Sequence, residues 1–385
     1  MIVGCARCVY SKDCGDIVGA YDFFGCHRVA RETCLERKWT CPECDPVGFM
    51  VRSAEVRFRS ATVTKARAVE AELPAYVPNI HHARSWSGRL LSKHVAIPMN
   101  RLLLGKGQAY GPRFADANKL RRGFHLMPDA GVLLVGVADD RYLERYWRDG
   151  KISGLPAKLA ALGVTAVTVA NFSFFADAHR FHLRYNRDRI TACLNELSNA
   201  GIAVVPHINA LNREDRAYWI DWLKANDQVR HVCREFQTGN TVEQIEEIAS
   251  IRDQIGRDLH PIIVGGASYV RDVQSLFRRS TIVDSQPFFK AIKAQRAVVR
   301  DGALRWEDTS YEGRPALGRL VRDNVAVYGG WIENAYSAGR QTSMFDVLER
   351  ALRMRGNVAK LDAEDPRQTR LPMNENEVTI AAVRG

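Results

Sequence analysis

The sequence has no run of about 18 consecutive apolar residues, so it predicts no transmembrane helix. Its first eight residues lack the apolar centre of a secretory signal peptide and lead directly into cysteines. Neither a GxGxxG nor a Walker motif occurs, which disfavours an open nucleotide-binding sheet. These absences predict a cytoplasmic protein that has no membrane partner.

Cysteine is scarce outside one region. Seven of the nine cysteines lie within the first 44 residues, and only Cys193 and Cys233 lie elsewhere. In an intracellular chain such a cluster favours metal binding over disulfides. The candidate ligands are Cys5, Cys8, Cys14, Cys26, His27, Cys34, Cys41 and Cys44.

The outer cysteines of this cluster form two C-x2-C pairs, a spacing that lets two thiolates bind one ion. Eight ligands suffice for two tetrahedral sites, and closed four-ligand zinc sites are structural. An iron–sulfur cluster is the alternative, but the compact C-x2-C-x2-C run is absent. The expected cofactor is therefore structural zinc.

Positive charge is concentrated in residues 51–123, which carry 14 Lys or Arg against 4 Asp or Glu, a net +10 of the chain's +11. Trp86, Tyr110 and Phe114 lie among these basic residues. A local excess of positive charge with interleaved aromatics favours a nucleic-acid partner. The alternative interpretation is a solvated connecting segment.

The rest of the chain alternates strand-like and helix-like segments, which predicts βαβ units and a parallel sheet. The expected fold is α/β, a (β/α)8 TIM-like barrel preceded by the cysteine module; an open doubly wound sheet is the alternative. The predicted strands are 94–99, 131–138, 164–170, 202–206, 229–235, 261–264, 281–283 and 325–328. The predicted domains are a zinc module (1–50), a basic connecting segment that partly enters the barrel (51–123), the barrel (124–345) and a C-terminal helix and tail (346–385).

Polar side chains follow most of the predicted strands. In a barrel the carboxyl ends of the strands meet at one face, and that face carries the active site. A polar residue after a strand is also a common helix cap, so the pattern counts for more than any single position. The residues in question are Asp139, Asp140, Asn171, His207, Asn209, Glu235, Gln237 and Asp284, with the Gly265-Gly266 turn.

Residues 230–305 contain three motifs in order. They are Phe236-Gln237-Thr238-Gly239, Ile263-Val264-Gly265-Gly266, and Ile282-Val283-Asp284-Ser285-Gln286 followed by Phe289, Ala291, Arg296 and Gly302. These motifs resemble the late-barrel segment of tRNA-guanine transglycosylases, especially the archaeal type, and of their DNA-acting 7-deazaguanine relatives. Residues 137–147 and 171–209 are similar instead to an uncharacterised family of mobile elements.

The transglycosylase resemblance implies roles for individual residues. Asp284 would be the nucleophile that attacks the sugar, and Asp139 or Asp140 the general acid/base. Gln237, Gly265 and Gly266 would contact the base. The remaining candidate substrate contacts are Asn171, His207, Asn209, Glu235 and Arg296.

The sequence also departs from that family. The family's Asp-Ser-Gly-Gly-Phe-Gln motif is absent here, and Cys193 and Cys233 are too few for its structural zinc near the end of the barrel. The leading hypothesis is exchange of guanine for a 7-deazaguanine-type base in nucleic acid, with DNA preferred over tRNA and a homodimer as the family's usual assembly. The alternatives are a non-enzymatic zinc-containing nucleic-acid-binding protein of a mobile element and a barrel hydrolase that acts on nucleosides.

Metal analysis of the purified protein tests the cysteine module. We expect one or two zinc ions per chain and no iron, because four thiolate or imidazole ligands complete each tetrahedral site. An iron content with sulfide and visible absorbance would contradict the assignment to zinc.

Overall fold

The computed structural model describes residues 65–103, 111–150, 153–174, 180–237 and 241–339, together with Val56. Strands and helices alternate through these residues. The strands are β1 (Tyr76–Pro78), β2 (His94–Pro98), β3 (Gly131–Val135), β4 (Ala166–Thr168), β5 (Val204–Val205), β6 (His231–Glu235), β7 (His260–Val264), β8 (Thr281–Asp284), β9 (Gln295–Arg300) and β10 (Ala303–Asp308). The α-helices are α1 (Met99–Leu102), α2 (Ala117–Gly123), α3 (Asp140–Gly150), α4 (Leu155–Ala160), α5 (Arg180–Asn199), α6 (Arg213–Ala225), α7 (Val242–Ile255), α8 (Val270–Leu276), α9 (Gln286–Ile292) and α10 (Gly313–Gly339).

The first eight strands form two four-stranded parallel sheets, in the orders β2-β3-β4-β5 and β1-β8-β7-β6. The α/β class with parallel sheets is therefore confirmed. Two isolated parallel bridges join the sheets, one between Asn79 and Ala96 and one between His207 and Cys233. With these bridges each strand neighbours the next along the chain and β8 neighbours β1, the strand order of an eight-stranded parallel barrel.

Side chains of the strands alternate between two apolar clusters, as the pleat of a strand requires. In β3, Leu133 and Val135 belong to the cluster inside the ring, whereas Val132 and Leu134 belong to the larger cluster between the strands and the helices. In β8, Val283 points inward and Ile282 outward. Burial on both faces explains why these strands read as continuous apolar runs in the sequence.

Residues 65–73 cover the amino end of the ring. Val69 and Leu73 join the inner cluster. The Arg67 carbonyl accepts a hydrogen bond from the Val204 amide at 2.9 Å. The amide of Ala66 donates to the side chain of Asn226 at 2.9 Å. Because this end is closed by the chain itself, a ligand has to enter from the carboxyl end.

Two further elements lie outside the ring. The antiparallel hairpin β9–β10 follows α9, and α10 packs against α8, α9, β9 and β1. The buried large apolar side chains of α10 recur at helical spacing and are those of Leu317, Val321, Val325, Tyr328 and Ile332. No helix among the described residues is long and apolar enough to cross a membrane.

Two expectations from the sequence need correction, and one element of the fold was not predicted. The predicted strand 325–328 is wrong, because these residues lie inside α10, whose apolar stripe repeats every three or four positions. The ring takes β1 and β2 from residues 51–123, so the barrel begins well before residue 124. The hairpin β9–β10 was not predicted, because its strands are largely exposed and carry no apolar run.

Two glycines of α10 offer a matched test of how tightly this helix packs. A Cβ atom at Gly318 would lie 1.8 Å from the Ser87 carbonyl oxygen, whereas no described residue outside the surrounding turns of the helix lies within 4 Å of a Cβ atom at Gly330. We expect Gly318→Ala to lower the free energy of unfolding by about 2 kcal/mol through overpacking. We expect Gly330→Ala to raise it by up to about 1 kcal/mol, since alanine favours a helix. Chemical denaturation measures both, and equal effects would contradict the packing described.

Candidate functional site at the carboxyl end of the ring

Three inward-facing residues form a buried polar contact at the carboxyl end of neighbouring strands. The Nε2 atom of His207 lies 3.2 Å from the Thr168 hydroxyl, which also accepts a hydrogen bond from the Gly136 amide at 2.9 Å. His207 and Thr168 are fully buried, as is Cys233 across the bridge from His207. This contact forms the floor of the candidate site.

His207 is held in its neutral form. Burial, with the nearby positive charge of Arg234 as a second cause, lowers the pKa of His207 to about 3. Its Nδ1 atom is buried and has no hydrogen-bond partner among the described residues. The imidazole therefore has one unsatisfied nitrogen inside the ring at neutral pH.

Above this floor, Asn171 and Asn209 join the ends of β4 and β5. The Asn209 side-chain amide donates to the Asn171 side-chain oxygen at 2.7 Å. The Trp219 indole N–H donates to the Asn209 carbonyl at 3.0 Å and fixes that loop from the helix layer. The two predicted asparagines are thus brought together in a defined orientation.

Asp139 and Asp140 lie where α3 begins. Asp139 is exposed, and its carbonyl accepts the Tyr142 amide at 2.9 Å. Asp140 accepts a hydrogen bond from the Ser173 hydroxyl at 2.5 Å, which ties α3 to the loop after β4. Of the two, Asp140 is fixed toward the neighbouring strand end.

Gln237 packs against the Gly265-Gly266 turn, and Glu235 ends the neighbouring strand β6. Glu235 is 6% exposed and lies two positions after Cys233, so its side chain also faces into the ring. Its carboxylate accepts a hydrogen bond from the Gln237 amide. Gly265 has φ +81°, and a Cβ atom there would lie 2.5 Å from Cγ of Gln237. A glycine is required here on both counts. The predicted cluster on β6 and β7 is therefore a real contact in the structure.

Asp284 ends β8 with its carboxylate fixed by two donors. One oxygen accepts the Gln286 amide at 2.8 Å and the other the Tyr328 hydroxyl of α10 at 2.9 Å. Burial raises the pKa of Asp284, and these two hydrogen bonds oppose the rise. Because Ile282 and Tyr328 belong to the outer cluster, the carboxylate points toward the helix layer. Asp284 is thus at the predicted end of the ring but on the opposite side of its strand from Val283.

Arg296 is not brought to this face. It lies on the exposed hairpin strand β9, with 58% of its side chain exposed, and its guanidinium pairs with Glu307 across the hairpin at 3.0 Å. The expectation that Arg296 contacts substrate is not supported by this placement. Nothing in the sequence indicated that the chain turns into the hairpin between Asp284 and Arg296.

Several residues of the basic segment also serve the fold. Trp86 is fully buried, and Phe114 packs on Phe124 with ring centres 5.8 Å apart. Arg121 donates to backbone carbonyls in the loops that precede β3 and β4, so it lies at the amino end. Tyr110 lies outside the described residues. The predicted interleaving of aromatics and charges is therefore not one continuous surface.

The sequence missed the residues that follow β1. Asn79 is 3% exposed and its side-chain oxygen has no partner among the described residues, and its amide donates to the Asp284 carbonyl at 3.0 Å. His81 and His82 come next and contact Phe288 and Phe289 of α9. The signal was hidden because β1 has only three residues and ends in proline.

All eight predicted metal ligands lie outside the described residues. Within the described part of the chain, no group of three or more His, Cys, Asp or Glu side chains is placed to hold a metal ion. Cys193 and Cys233 are buried there and are not joined in a disulfide. Structural zinc in the N-terminal module therefore stays a prediction.

No protein-family model matches the chain, and no curated protein matches it either. Among solved structures it is similar to a putative fructose-1,6-biphosphate aldolase from Coccidioides immitis, with a TM-score of 0.33 and 11% identity over 76% of this chain and 95% of that one. It is also similar to the carboxyl transferase domain of Rhizobium etli pyruvate carboxylase, with a TM-score of 0.31 and 10% identity over 75% of this chain and 49% of that one. Neither likeness is close enough to assign an activity.

The buried imidazole of His207 predicts a loss of stability in acid. Its folded-state pKa is lower than the unfolded value, so the unfolded chain binds the extra proton as the pH falls below about 6.5. Between pH 6.5 and 4 this group alone costs about 3 kcal/mol of unfolding free energy. Burial raises the pKa of Asp215 to about 6 and of Glu247 to about 7, which acts in the opposite direction.

A His207→Gln variant isolates this effect, since the two carboxyl groups titrate in both proteins. We expect the unfolding free energy of the unchanged protein, taken relative to that of the variant, to fall by about 3 kcal/mol between pH 6.5 and pH 4, because every other titrating group is common to both proteins. Urea unfolding at a series of pH values measures the slopes. Parallel curves would show that His207 is not the buried titrating group.

Proposed function

We propose that this protein is an enzyme that exchanges a guanine of nucleic acid for a 7-deazaguanine-type base, with DNA preferred over tRNA. The observation that carries the proposal is the arrangement of β6, β7 and β8. Two buried carboxylates end the outer strands of this trio, Glu235 on the inner side of β6 and Asp284 on the helix side of β8, and Gly265-Gly266 ends the strand between them. Base exchange needs two carboxylates beside a surface that a flat base can approach closely.

The Gly265 amide donates to the Val283 carbonyl at 2.8 Å, which holds the glycine turn against β8. Gln237 covers the same turn from β6. These are the positions that resemble the base-contacting residues of the transglycosylases, and they are contiguous in space. A target base has to leave its stack to reach such a pocket.

In the proposed reaction an oxygen of Asp284 attacks the anomeric carbon, and the bond from that carbon to the guanine nitrogen breaks. Guanine leaves with a proton from the inward-facing Glu235, which we assign this role in place of Asp139 or Asp140 because only β7 separates β6 from β8, whereas those two residues follow β3 in the other sheet. The incoming base returns a proton to Glu235, its ring nitrogen bonds to the anomeric carbon, and the ester to Asp284 is released. The Tyr328 hydroxyl would position the Asp284 carboxylate, so the sugar has to approach the oxygen that Gln286 holds.

A second candidate function is suggested by the same carboxylate. Both oxygens of Asp284 already accept hydrogen bonds, which is also what a structural helix cap would show. In that case the ring is a scaffold and the protein binds nucleic acid without modifying it.

Single isosteric substitutions separate these candidates. We expect Asp284→Asn and Glu235→Gln each to slow incorporation of a labelled 7-deazaguanine precursor into DNA or tRNA by at least about 100-fold, because each removes a group that bonds to carbon or carries the proton. Asp301→Asn, on the exposed turn between β9 and β10, is the matched control and should not change the rate.

Base analysis of the treated nucleic acid gives the readout. A loss with Glu235→Gln but not with Asp284→Asn would overturn the covalent mechanism. Full exchange with both variants would overturn the proposed reaction.

A further inference from the structure

The loops after β8, β1 and β2 lie side by side at the carboxyl end of the ring, since these strands are neighbours. Five of their residues form a surface that the reaction above does not use. We call this surface the β1–β8 rim; it comprises His81, His82, Arg84, Arg101 and Phe289.

Phe289 gives the rim an exposed aromatic face. Its side chain is 41% exposed, although most large apolar side chains among the described residues are buried. The His81 ring lies 4.6 Å from the Phe289 ring and is nearly parallel to Phe288, with their centres 6.1 Å apart and a 12° angle between the planes. Buried Phe288 supports the histidines from below, with the His82 ring 5.1 Å away.

The rim also carries two exposed cations. Arg84 and Arg101 form no ion pair or hydrogen bond with the described residues, unlike Arg121, which donates to three backbone carbonyls. Burial first, and the charge of Arg101 second, lower the pKa of His81 to about 4, so this imidazole is neutral at pH 7. Both of its ring nitrogens lack a hydrogen-bond partner among the described residues.

We propose that the β1–β8 rim binds a single-stranded segment of nucleic acid, with a base stacked on Phe289 and His81 and the flanking phosphates at Arg84 and Arg101. Aromatic faces beside unpaired arginines are the arrangement that single-strand binding requires. A base offers a π-face to the exposed Phe289 ring, and the flanking phosphates are opposite in sign to the rim's charge.

The rim lies next to the candidate catalytic carboxylate. The Asn79 amide, two residues before His81, donates to the Asp284 carbonyl. A nucleotide held on the rim therefore places its neighbour at the end of β8. This inference rests on the proposed function for the identity of the polymer. It goes further by naming the surface that holds the nucleic-acid strand next to the reacting residues.

Fluorescence anisotropy of the full chain with a labelled single-stranded DNA of about 12 nucleotides tests the proposal at a series of salt concentrations. Two phosphate contacts contribute about 1.4 to the slope of log affinity against log salt, so Arg84→Gln with Arg101→Gln should reduce the slope by that amount. Phe289→Ala should weaken binding about tenfold, and Phe289→Trp should retain it.

The matched control is Arg230→Gln with Arg278→Gln, which removes two exposed arginines that precede β6 and β8 at the amino end of the ring and, like Arg84 and Arg101, form no ion pair with the described residues. It should leave both the affinity and the slope unchanged. An equal loss in the control would show that only net charge matters and would overturn the rim as a site. So would a Phe289→Ala variant that binds DNA normally but changes the self-association of the protein in sedimentation.

The rim and the proposed reaction can fail separately. Normal binding by the rim variants together with normal base exchange would overturn the rim and leave the reaction standing. Rim-dependent binding together with undiminished exchange in Asp284→Asn and Glu235→Gln would overturn the reaction and leave the rim as a binding site.

Discussion

Closure of the ring is the constraint on which the rest of the structure depends. Two short seams accomplish it, each with a single bridge between residues of adjacent sheets. At one seam the Ile80 amide donates to the Ala96 carbonyl at 2.8 Å, and at the other the Cys233 amide donates to the Pro206 carbonyl at the same distance. Asn79 and His207, whose side chains retain buried unsatisfied atoms, are the bridging residues. The polar groups available to a ligand thus occur where the backbone pairing is sparsest, which is common at functional sites.

The two ends of the ring have different uses. Residues 65–73 seal the amino end, and Arg121 there satisfies backbone carbonyls of neighbouring loops. At the carboxyl end, Arg84 and Arg101 are exposed beside aromatic rings. The net charge of residues 51–123 therefore does not describe one surface, because folding separates its members to opposite ends. Only the arginines that remain unpaired can attract a polyanion at short range.

Much of the ring could be read from the sequence, because strands buried on both faces give continuous apolar runs such as that of β3. The polar residues after β4, β5 and β6 were identified for the same reason, as each follows a recognisable run. The three-residue strand β1 escaped detection, and with it Asn79 and the histidines that follow. Residues 325–328 looked like a strand because a short apolar run does not reveal its period, and only the longer spacing from Leu317 to Ile332 identifies the helix. The direction of the Asp284 side chain follows from the alternation of side chains along β8 and from the contact with Tyr328. A local sequence motif shows neither of these.

The hydrogen bond from Tyr328 to Asp284 has a consequence for biosynthesis. Strands β2 to β5 pair with one another early in the chain, but β1 has no sheet partner until β8 has been made. The Asp284 carboxylate at the end of β8 gains its second hydrogen-bond donor only later, because Tyr328 lies 44 positions further along the chain. Domains fold as the ribosome releases them, from the amino terminus onward. A nascent chain therefore carries an open ring until β8 has been made, and its Asp284 carboxylate lacks the Tyr328 hydrogen bond until α10 has emerged. The candidate site is completed only when nearly all of the described fold has been synthesised.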